Sequence, residues 1–364
     1  MKTYVRDIYN FLDSIAPFKT AMDFDNCGLL VGNMSESINK VLLSLDITRE
    51  IVGEAESIGA NLIISHHPVI FNPLKKLLSD CVPYMLAKKG IGAICAHTNL
   101  DMADGCGVNA CLAKAIGLKN TQPLSVYSED FYNKIIVFVP EGYEDKVMNT
   151  MCDNGAGKLG SYSGCGFLSS GEGRFSPGDS SNPFIGNAGE KVKTKEIRLE
   201  MIVPQSKTYT VVNAMKEVHP YELPAYDIIE NKAVSKKIAC GLIGVPVDPI
   251  SSRELAQIVK ESLGCSGLKY TQIDKKINKI AVCSGAGGDY LDFAIEKGAD
   301  AFITGEIKHH MILKANDSGI MLVDAGHFKT EDIVFDNLIK LLSKKFQTVQ
   351  FYKTKLFTDN IKYL

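Results

Sequence analysis

Hydrophobic residues follow two alternating patterns along the first third of the chain, one typical of amphipathic helices and one typical of buried strands. Val5, Ile8, Leu12 and Ile15 recur at helical spacing, and this pattern stops before Pro17. Later runs rich in β-branched residues predict strands over 41–45, 60–64 and 93–96, with helices over 48–57, 84–88 and 108–116. This alternation indicates a parallel sheet covered by helices.

The pattern changes near residue 127, which we interpret as the start of a second domain inserted into the first. It predicts strands over 134–139, 195–203 and 224–229 and helices over 141–152 and 206–218. Residues 155–189 are rich in Gly, Ser, Asn and Pro, so we expect turns and loops around short strands such as 166–168. The order suggests a ferredoxin-like insert whose long loop segment lies at an interface or at the mouth of a site.

The strand and helix alternation resumes near Ile238. Ser251 and Glu254 form a capping box that opens a helix to Leu263. The later pattern predicts strands over 280–283, 301–304, 321–323 and 349–351 and helices over 290–297, 307–316 and 330–345. We therefore expect a discontinuous α/β domain formed by residues 1–126 and 235–364, interrupted by an α+β domain of residues 127–234.

An internal repeat relates the two parts of the α/β domain. Residues 55–65 (AESIGANLIIS) and 294–304 (AIEKGADAFIT) align without a gap, and each segment ends a helix and enters a buried strand. The following strand of each part ends near a histidine and a carboxylate four residues apart, His97 with Asp101 and His327 with Glu331. We predict two related α/β halves with a largely parallel sheet that together form one metal-binding domain.

Two adjacent histidines, His66 and His67, end the strand at 60–64, and Pro68 follows them. Ligands bind at the carboxyl ends of strands in open α/β sheets, so these imidazoles are well placed to hold a metal. Adjacent side chains of a strand point to opposite faces, so both serve one site only if the chain bends there or two metals are present. The alternative is a polar pair that merely ends a strand.

If the two halves face each other, four of the seven histidines converge with two carboxylates on one cleft. This set exceeds the ligands of one four-coordinate ion and suits a centre of two ions bridged by a carboxylate. Its donors suit zinc, iron, manganese, cobalt or nickel without selecting among them, and zinc is the first candidate. The converging residues are His66, His67, His97, Asp101, His327 and Glu331.

Composition narrows the class of protein. The chain has 364 residues, a formal net charge of -2 and scattered lysines, which gives no electrostatic footprint for nucleic acid. No apolar run approaches the length of a membrane span, and no apolar region follows the N-terminus. The ten cysteines form no CxxC pair. We therefore expect a cytoplasmic protein with reduced thiols and no membrane partner.

Six motifs occur in order along the chain, and they are DNCGLLVG (25–32), SHHP (65–68), AHTNLD (96–101), HPYELPAYD (219–227), TGEIKHH (304–310) and AGHFKTE (325–331). Together they resemble the Nif-three-like family, also called the GTP cyclohydrolase I type-two homologues. The resemblance covers nearly the whole chain and is to the longer bacterial form, whose insert is PII- or CutA-like. It implies a toroidal homo-hexamer with its sites facing an internal cavity. It implies as metal ligands His66, His67, Asp101, His327 and Glu331.

Several polar residues near these motifs have a second interpretation. His97 either contributes to the site or orients Asp101 from behind. His309 and His310 either contact a substrate or lie on a polar helix face, and a buried or capping role is expected for His219. Asp25 and Asn26 either line the cleft or form a polar turn.

Two function classes fit this sequence. The first is a metal-dependent hydrolase acting on a nucleotide-like small molecule, either as a GTP cyclohydrolase-like enzyme or as a phosphoesterase. The chain has no P-loop, so phosphate contacts would come from scattered groups such as Lys75, Lys76 or Lys308. The second is a regulatory or metal-binding scaffold without turnover, in which the insert binds a small molecule or a partner. The catalytic residues and the substrate stay open at this level.

Overall fold

The computed structural model describes residues 2–356 and 361–362, without the side chains of residues 234 and 236. The chain divides into two compact units. The first unit combines Met1–Ser128 with Ile238–Leu364, and the second unit is Glu129–Lys237. Mixed α/β structure with several sheets is present, as the hydrophobic pattern predicts.

The first segment of the first unit follows the predicted alternation. Helix α1 buries Val5, Ile8 and Leu12 on one face, and the Thr48 hydroxyl accepts a hydrogen bond from the Ile51 N–H at the start of α2. The strands are β1 (Thr3–Tyr4), β2 (Gly28–Val31), β3 (Ser37–Ile38), β4 (Lys40–Ser44), β5 (Leu62–Ser65) and β6 (Gly92–Cys95). The helices are α1 (Val5–Ile15), α2 (Arg49–Ile58), α3 (Val82–Lys89), α4 (Thr98–Asp101) and α5 (Val108–Ala115).

The second unit is entered and left through two long strands and has its own apolar core. Its elements are β7 (Lys119–Pro140), α6 (Glu144–Asp153), β8 (Gly166–Phe175), β9 (Val192–Pro204), α7 (Thr208–Val218) and β10 (Tyr226–Val245). The strand order is β10-β7-β9-β8, with β9 antiparallel to both of its neighbours. Side chains from β7, β9 and both helices form the core, including Ile135, Val147, Leu199 and Met215.

Three strands of this part are longer than the sequence pattern predicts. The segment predicted as loops around a strand at 166–168 contains the ten-residue strand β8. Strand β7 begins well before residue 134, and β10 continues well past residue 229. Most side chains of β8 are exposed, because it is an edge strand held to β9 by backbone pairing over its whole length. Such a strand carries no hydrophobic alternation for a sequence pattern to detect.

The last segment returns to the first unit. The predicted capping box is present, since Ser251 Oγ accepts from the Glu254 N–H and the Glu254 carboxylate accepts from the Ser251 N–H. Its strands are β11 (Lys269–Tyr270), β12 (Ile280–Val282), β13 (Ala301–Thr304), β14 (Met321–Asp324) and β15 (Gln350–Lys353). Its helices are α8 (Ser252–Leu263), α9 (Leu291–Glu296), α10 (His309–Asp317), α11 (His327–Asp332) and α12 (Val334–Lys345).

The prediction of a single helix over 330–345 is wrong, because the helical structure begins at His327 and is divided in two. Two helices, α11 and α12, follow each other and are separated by Ile333. Ile333 keeps helical dihedral angles (φ −58°, ψ −24°), so the chain continues without a sharp turn. The consequence is that His327 and Glu331 lie on one short helix.

Besides the two-stranded sheet of β1 and β3, the first unit contains two larger groups of paired strands with a shared pattern. In the order β15-β4-β5-β6-β2, only β2 is antiparallel to its neighbour. In the order β11-β14-β13-β12-β10, strands β12, β13 and β14 are parallel and the flanking strands β10 and β11 are antiparallel. The carboxyl ends of the parallel strands therefore lie together at one edge of each sheet.

Among the described residues, no helix is both long enough and apolar enough to cross a membrane.

Candidate metal centre

His66 and His67 follow the carboxyl end of β5, where the strand pattern stops. The His66 N–H donates to the Ser44 carbonyl and the His67 N–H donates to the Leu45 carbonyl, so the chain stays alongside the end of β4. The two imidazole centroids are 5.2 Å apart with 44° between the ring planes. The two rings therefore lie beside each other, although alternation in a continued strand would have separated them.

The next parallel strand, β6, delivers His97 and Asp101 to the same place. His97 precedes α4, and Asp101 ends this single helical turn. Asp101 Oδ1 lies 3.5 Å from His66 Nε2, and the His97 ring packs edge-on against the rings of His66 and His67 at 5.1 and 5.4 Å. One turn of helix thus brings the carboxylate back to the imidazoles of the preceding strand.

Helix α11 supplies the residues from the second half of the unit. His327 and Glu331 are one helical turn apart, with His327 Nε2 3.1 Å from Glu331 Oε2. The left-handed backbone of Gly326 (φ +85°) allows the chain to turn from β14 into this helix.

The carboxylate of Glu331 lies at the middle of the cluster. Its Oε2 atom is 3.0 Å from His67 Nε2, and its Oε1 atom is 3.8 Å from His66 Nε2. The side chain is only 5% exposed. Burial alone would raise the pKa of Glu331, but the charge of His66 and the close contacts with His327, His66 and His67 hold that pKa well below its usual range.

Neighbouring carboxylates raise the pKa of imidazoles in the cluster. Burial opposes protonation of His67, but its hydrogen bonds to Asp46 and Glu331 outweigh burial and raise its pKa to about 10. The close contact with the Glu331 carboxylate is the main cause that raises the pKa of His327 to about 9. Burial raises the pKa of Asp101. The cluster therefore attracts positive charge, either protons or a cation.

Each of the four imidazoles is held by its Nδ1 atom. Nδ1 of His66 contacts the Ala96 carbonyl at 2.9 Å, and Nδ1 of His67 contacts Asp46 Oδ1 at 2.8 Å. The other two Nδ1 contacts are His97 to Asp25 Oδ1 at 2.9 Å and His327 to Glu306 Oε1 at 2.7 Å. These acceptors keep a proton on Nδ1, so a cation that displaces the proton from Nε2 would find that atom as its ligand, an arrangement that recurs around metal-binding histidines.

The donor set fits divalent cations. The Nε2 atoms of His66 and His327 are buried and have no hydrogen-bond partner of acceptable geometry among the described residues. Buried polar atoms without partners are rare in proteins, and a cation would satisfy both. Three groups have donor atoms within 4.8 Å of one another, and they are His66 with His67 and His97, His67 with His327 and Glu331, and His66 with Asp101 and Glu331. Because the groups share members, they describe adjacent positions.

The remaining predicted polar residues lie elsewhere or behind the cluster. His309 and His310 are exposed at the start of α10 and belong to none of the three groups. His219 ends α7 in the second unit, where it is buried. Asp25 is fully buried and holds His97, while the Asn26 side chain donates to the Ile70 carbonyl at 2.6 Å. Lys75 and Lys76 lie in an exposed segment.

Sequence reasoning missed the residues that support the cluster. Asp46 and Glu306 follow β4 and β13, so they lie at the same strand ends as the histidines, and this position was the available signal. It also missed the glycine-rich loop after β12. Gly285 has φ +57°, and a Cβ atom there would collide with Glu331 Oε1 and lie 3.3 Å from His327 Nε2. The Gly285 N–H donates to the Thr330 hydroxyl at 3.0 Å, which ties the loop to α11.

A cleft of about 770 Å³ opens onto the cluster. Its walls include Phe24, Phe71, Tyr290 and Phe293. Its other lining residues include five of the six converging side chains, namely His67, His97, Asp101, His327 and Glu331.

Comparisons with known proteins identify the family of this chain. A family model described as Duf34/NIF3 (NGG1p interacting factor 3) matches residues 3–360. Proteins named "GTP cyclohydrolase 1 type 2 homolog" from Bacillus subtilis (strain 168) and Halalkalibacterium halodurans are 36% and 35% identical to this chain. The first match covers 93% of this chain and 91% of the relative, and the second covers 94% of each.

Solved structures of NIF3-related proteins also resemble this chain. A Bacillus cereus protein described as related to NIF3 is 34% identical, with a TM-score of 0.85 over 100% of this chain and 99% of that protein. The reduced HcgD protein of Methanocaldococcus jannaschii is 19% identical with a TM-score of 0.59, covering 98% of this chain and 99% of that protein, and shares the fold. On this evidence the chain belongs to the Duf34/NIF3 family.

Proposed function

We propose that this protein is a metal-dependent hydrolase with a centre for two divalent ions, held by His66, His67, Asp101, His327 and Glu331. The observation that carries the proposal is the position of Glu331, whose two oxygens lie within 3.0 to 3.8 Å of three imidazole Nε2 atoms. A carboxylate so placed can bridge two ions. When bound, a pair of divalent ions supplies Lewis-acid activation of a water molecule and of an electrophilic substrate bond.

The residues of the chain provide orientation and proton handling. Asp46, Glu306 and the Ala96 carbonyl hold the rings of His67, His327 and His66, so the donor geometry exists before a ligand arrives. Ser284 Oγ donates to Asp101 Oδ1 at 3.3 Å and restricts that carboxylate. His97 lines the cleft and is held from behind by Asp25, which places its ring to exchange a proton with a substrate or a leaving group.

The relatives' name supports a substrate of the GTP type, opened by hydrolysis at its imidazole ring, with a nucleotide phosphoesterase as the nearest alternative. A scaffold function without turnover is the alternative from another class. For the second unit we propose a ferredoxin-like, PII- or CutA-like domain within a homo-hexamer. Its β-α-β-β-α-β order and its strand order, with the fourth strand beside the first and the third beside the second, support this fold.

The test of the centre is metal analysis of natively purified protein. We expect about two ions per chain in the wild type and a marked loss in His67→Ala, because His67 Nε2 lies 3.0 Å from the Glu331 carboxylate at the middle of the cluster. His309→Ala is the matched control and should keep the wild-type metal content, since His309 is exposed outside the cluster. A folded wild-type protein that binds no metal would refute the proposal.

The test of hydrolysis is turnover of a panel of nucleotides and pterin precursors by the metal-loaded protein. Turnover that disappears in both Asp101→Ala and Glu331→Ala would support the hydrolase. Turnover that persists in both would identify a contaminant. Absence of turnover across the panel by fully loaded protein would favour the scaffold.

A further inference from the structure

The cleft above the candidate metal centre has an aromatic rim. Phe24, Phe71 and Phe293 are 62%, 48% and 40% exposed, and all three line this cleft. Among the described residues, they are the only phenylalanines of the first unit with exposure this high. Exposed rings gathered at one site mark a binding surface rather than ordinary surface composition.

The rings are arranged as two pairs on different segments of the chain. Phe24 and Phe71 have centroids 6.4 Å apart, and Tyr290 and Phe293 have centroids 6.0 Å apart. The first pair belongs to the segments beside the histidines of β5, and the second pair follows the glycine-rich loop after β12. A flat ligand that reaches the metal centre would therefore meet aromatic side chains from both halves of the unit.

The charged residues that line the cleft argue against binding of a polyphosphate chain. No lysine or arginine is among the described residues that line it, while Asp101, Asp289 and Glu331 are. These carboxylates offset most of the charge that two divalent ions would bring. A triphosphate chain would find no side-chain cation in this cleft.

The nearest lysines do not supply the positive charge that a polyphosphate would need. Lys269 and Lys308 line an adjacent cavity of about 630 Å³ that shares His327 and Asp289 with the cleft. Lys269 Nζ lies 2.6 Å from Asp324, and Lys308 Nζ lies 3.9 Å from Asp289. Glu306 lines the same cavity. Both lysines therefore already face carboxylates, and the adjacent cavity offers no excess positive charge.

From these observations we propose that the cleft recognises its ligand through a planar, uncharged ring, such as that of a nucleobase or a pterin, and not through a polyphosphate chain. The inference rests on the proposed function, because it places the ring against the ions of the metal centre. It assigns recognition of the substrate to stacking on its heterocycle, whether or not the ring carries a ribose and phosphates. The cleft volume of about 770 Å³ is ample for a bicyclic ring.

Equilibrium binding tests the inference without requiring turnover. The chain has no tryptophan, so the fluorescence anisotropy of added pterin can be followed without background from the protein. We expect saturable binding to the zinc-loaded protein, weakened roughly tenfold in each of Phe71→Ala and Phe293→Ala, the size of effect typical of one stacking contact. Tyr352→Ala, which removes a 39% exposed ring on the edge strand β15, is the matched control and should bind as the wild type does.

Competition experiments distinguish recognition of the ring from recognition of the phosphates. Guanosine and GTP should displace pterin equally well from metal-free protein, and Lys269→Ala and Lys308→Ala should leave both affinities unchanged. A GTP affinity at least tenfold above that of guanosine, lost in either lysine variant, would overturn the inference in favour of a polyphosphate site.

Two further outcomes would also overturn it. One is that neither pterin, guanine nor adenine binds below about 1 mM, the limit of weak specific affinity. The other is that Phe71→Ala and Phe293→Ala leave pterin affinity unchanged but alter the mass of the assembly, which would assign the rings to contact between copies of this chain. Pterin binding by protein that shows no hydrolysis would leave the inference intact and count only against the proposed function.

Discussion

At the scale of single residues, the candidate centre depends on how closely the glycine-rich loop approaches Glu331. The Gly285 backbone lies against the Glu331 carboxylate, and its N–H is bound by Thr330 one residue away on α11. Thr330 is fully buried and its hydroxyl donates back to the α11 backbone. The position of the central carboxylate is therefore set by a backbone contact that allows no side chain.

Substitution of this glycine should remove metal binding. In Gly285→Ala the new Cβ would collide with Glu331 Oε1, so the carboxylate must move and the metal content should fall well below that of the wild type. Gly298→Ala is the matched control, because Gly298 also has a left-handed backbone (φ +66°) but open space around a Cβ. Both variants should lose roughly 1–2 kcal/mol of stability from backbone strain.

Metal analysis and thermal unfolding of the two variants provide the comparison. Equal metal content in Gly285→Ala and in the wild type would show that the carboxylate is not held by this contact. Loss of metal in Gly298→Ala would show that backbone strain alone disturbs the centre.

At the scale of secondary-structure elements, His219 joins α7 to β7 in the second unit. Its Nε2–H donates to the Phe138 carbonyl at 3.1 Å, and its Nδ1 accepts from the Tyr221 N–H at 3.0 Å. These two bonds require the neutral imidazole, since protonated Nδ1 cannot accept. Burial of His219 accordingly lowers its pKa below the ordinary value, outweighing the Phe138 hydrogen bond.

This junction should make the stability of the second unit depend on pH. Because the folded pKa is lowered, the unfolded chain takes up the proton first, and stability falls as the pH drops below the ordinary histidine value of about 6.5. The contribution of one group is at most about 1.4 kcal/mol per pH unit. We expect His219→Gln to be less stable than the wild type at pH 7 and to lose less further stability between pH 7 and pH 5.5.

Urea unfolding at several pH values measures this difference. Tyr209→Phe, a change at a 79% exposed ring on α7, serves as the control and should keep the wild-type pH dependence. Parallel pH profiles for the wild type and His219→Gln would contradict the assignment of this histidine.

At the scale of the whole molecule, every candidate metal donor belongs to the first unit. The apolar clusters around β4, β5 and β6 and around β12, β13 and β14 also consist of residues from that unit. The second unit has a separate apolar cluster. Its entry and exit are close, because Ser235 Oγ donates to the Glu129 carboxylate at 2.8 Å.

Removal of the second unit should therefore leave metal binding intact. We expect a chain in which residues 129–237 are replaced by a short Gly/Ser linker to bind as much metal as the full chain, and to differ in the size of its assembly or in ligand access. Metal analysis and light scattering test this. A deleted chain that cannot fold, while the full chain folds under the same conditions, would show that the units depend on each other.

The sequence by itself determined the buried elements and the residue types at their ends. Burial imposes a periodicity on helices and strands, so α1, β4, β5 and β13 were visible as patterns of apolar residues. The histidines at 66–67, 97 and 327 could be found because polar residues that follow buried strands stand out against that pattern. The family could also be found from its six ordered motifs.

Tertiary structure alone decided the length of the edge strand and the contacts between distant side chains, because neither leaves a pattern in the local sequence. The edge strand β8 is held by backbone pairing with exposed side chains, so its length depends on β9 and not on its own hydrophobicity. The contact of His67 with Glu331 joins residues 264 positions apart, and the acceptors Asp46, Glu306 and Asp25 are ordinary acidic residues until folding places them behind an imidazole. Distances between side chains from separate elements follow from packing, which no periodicity along one element encodes.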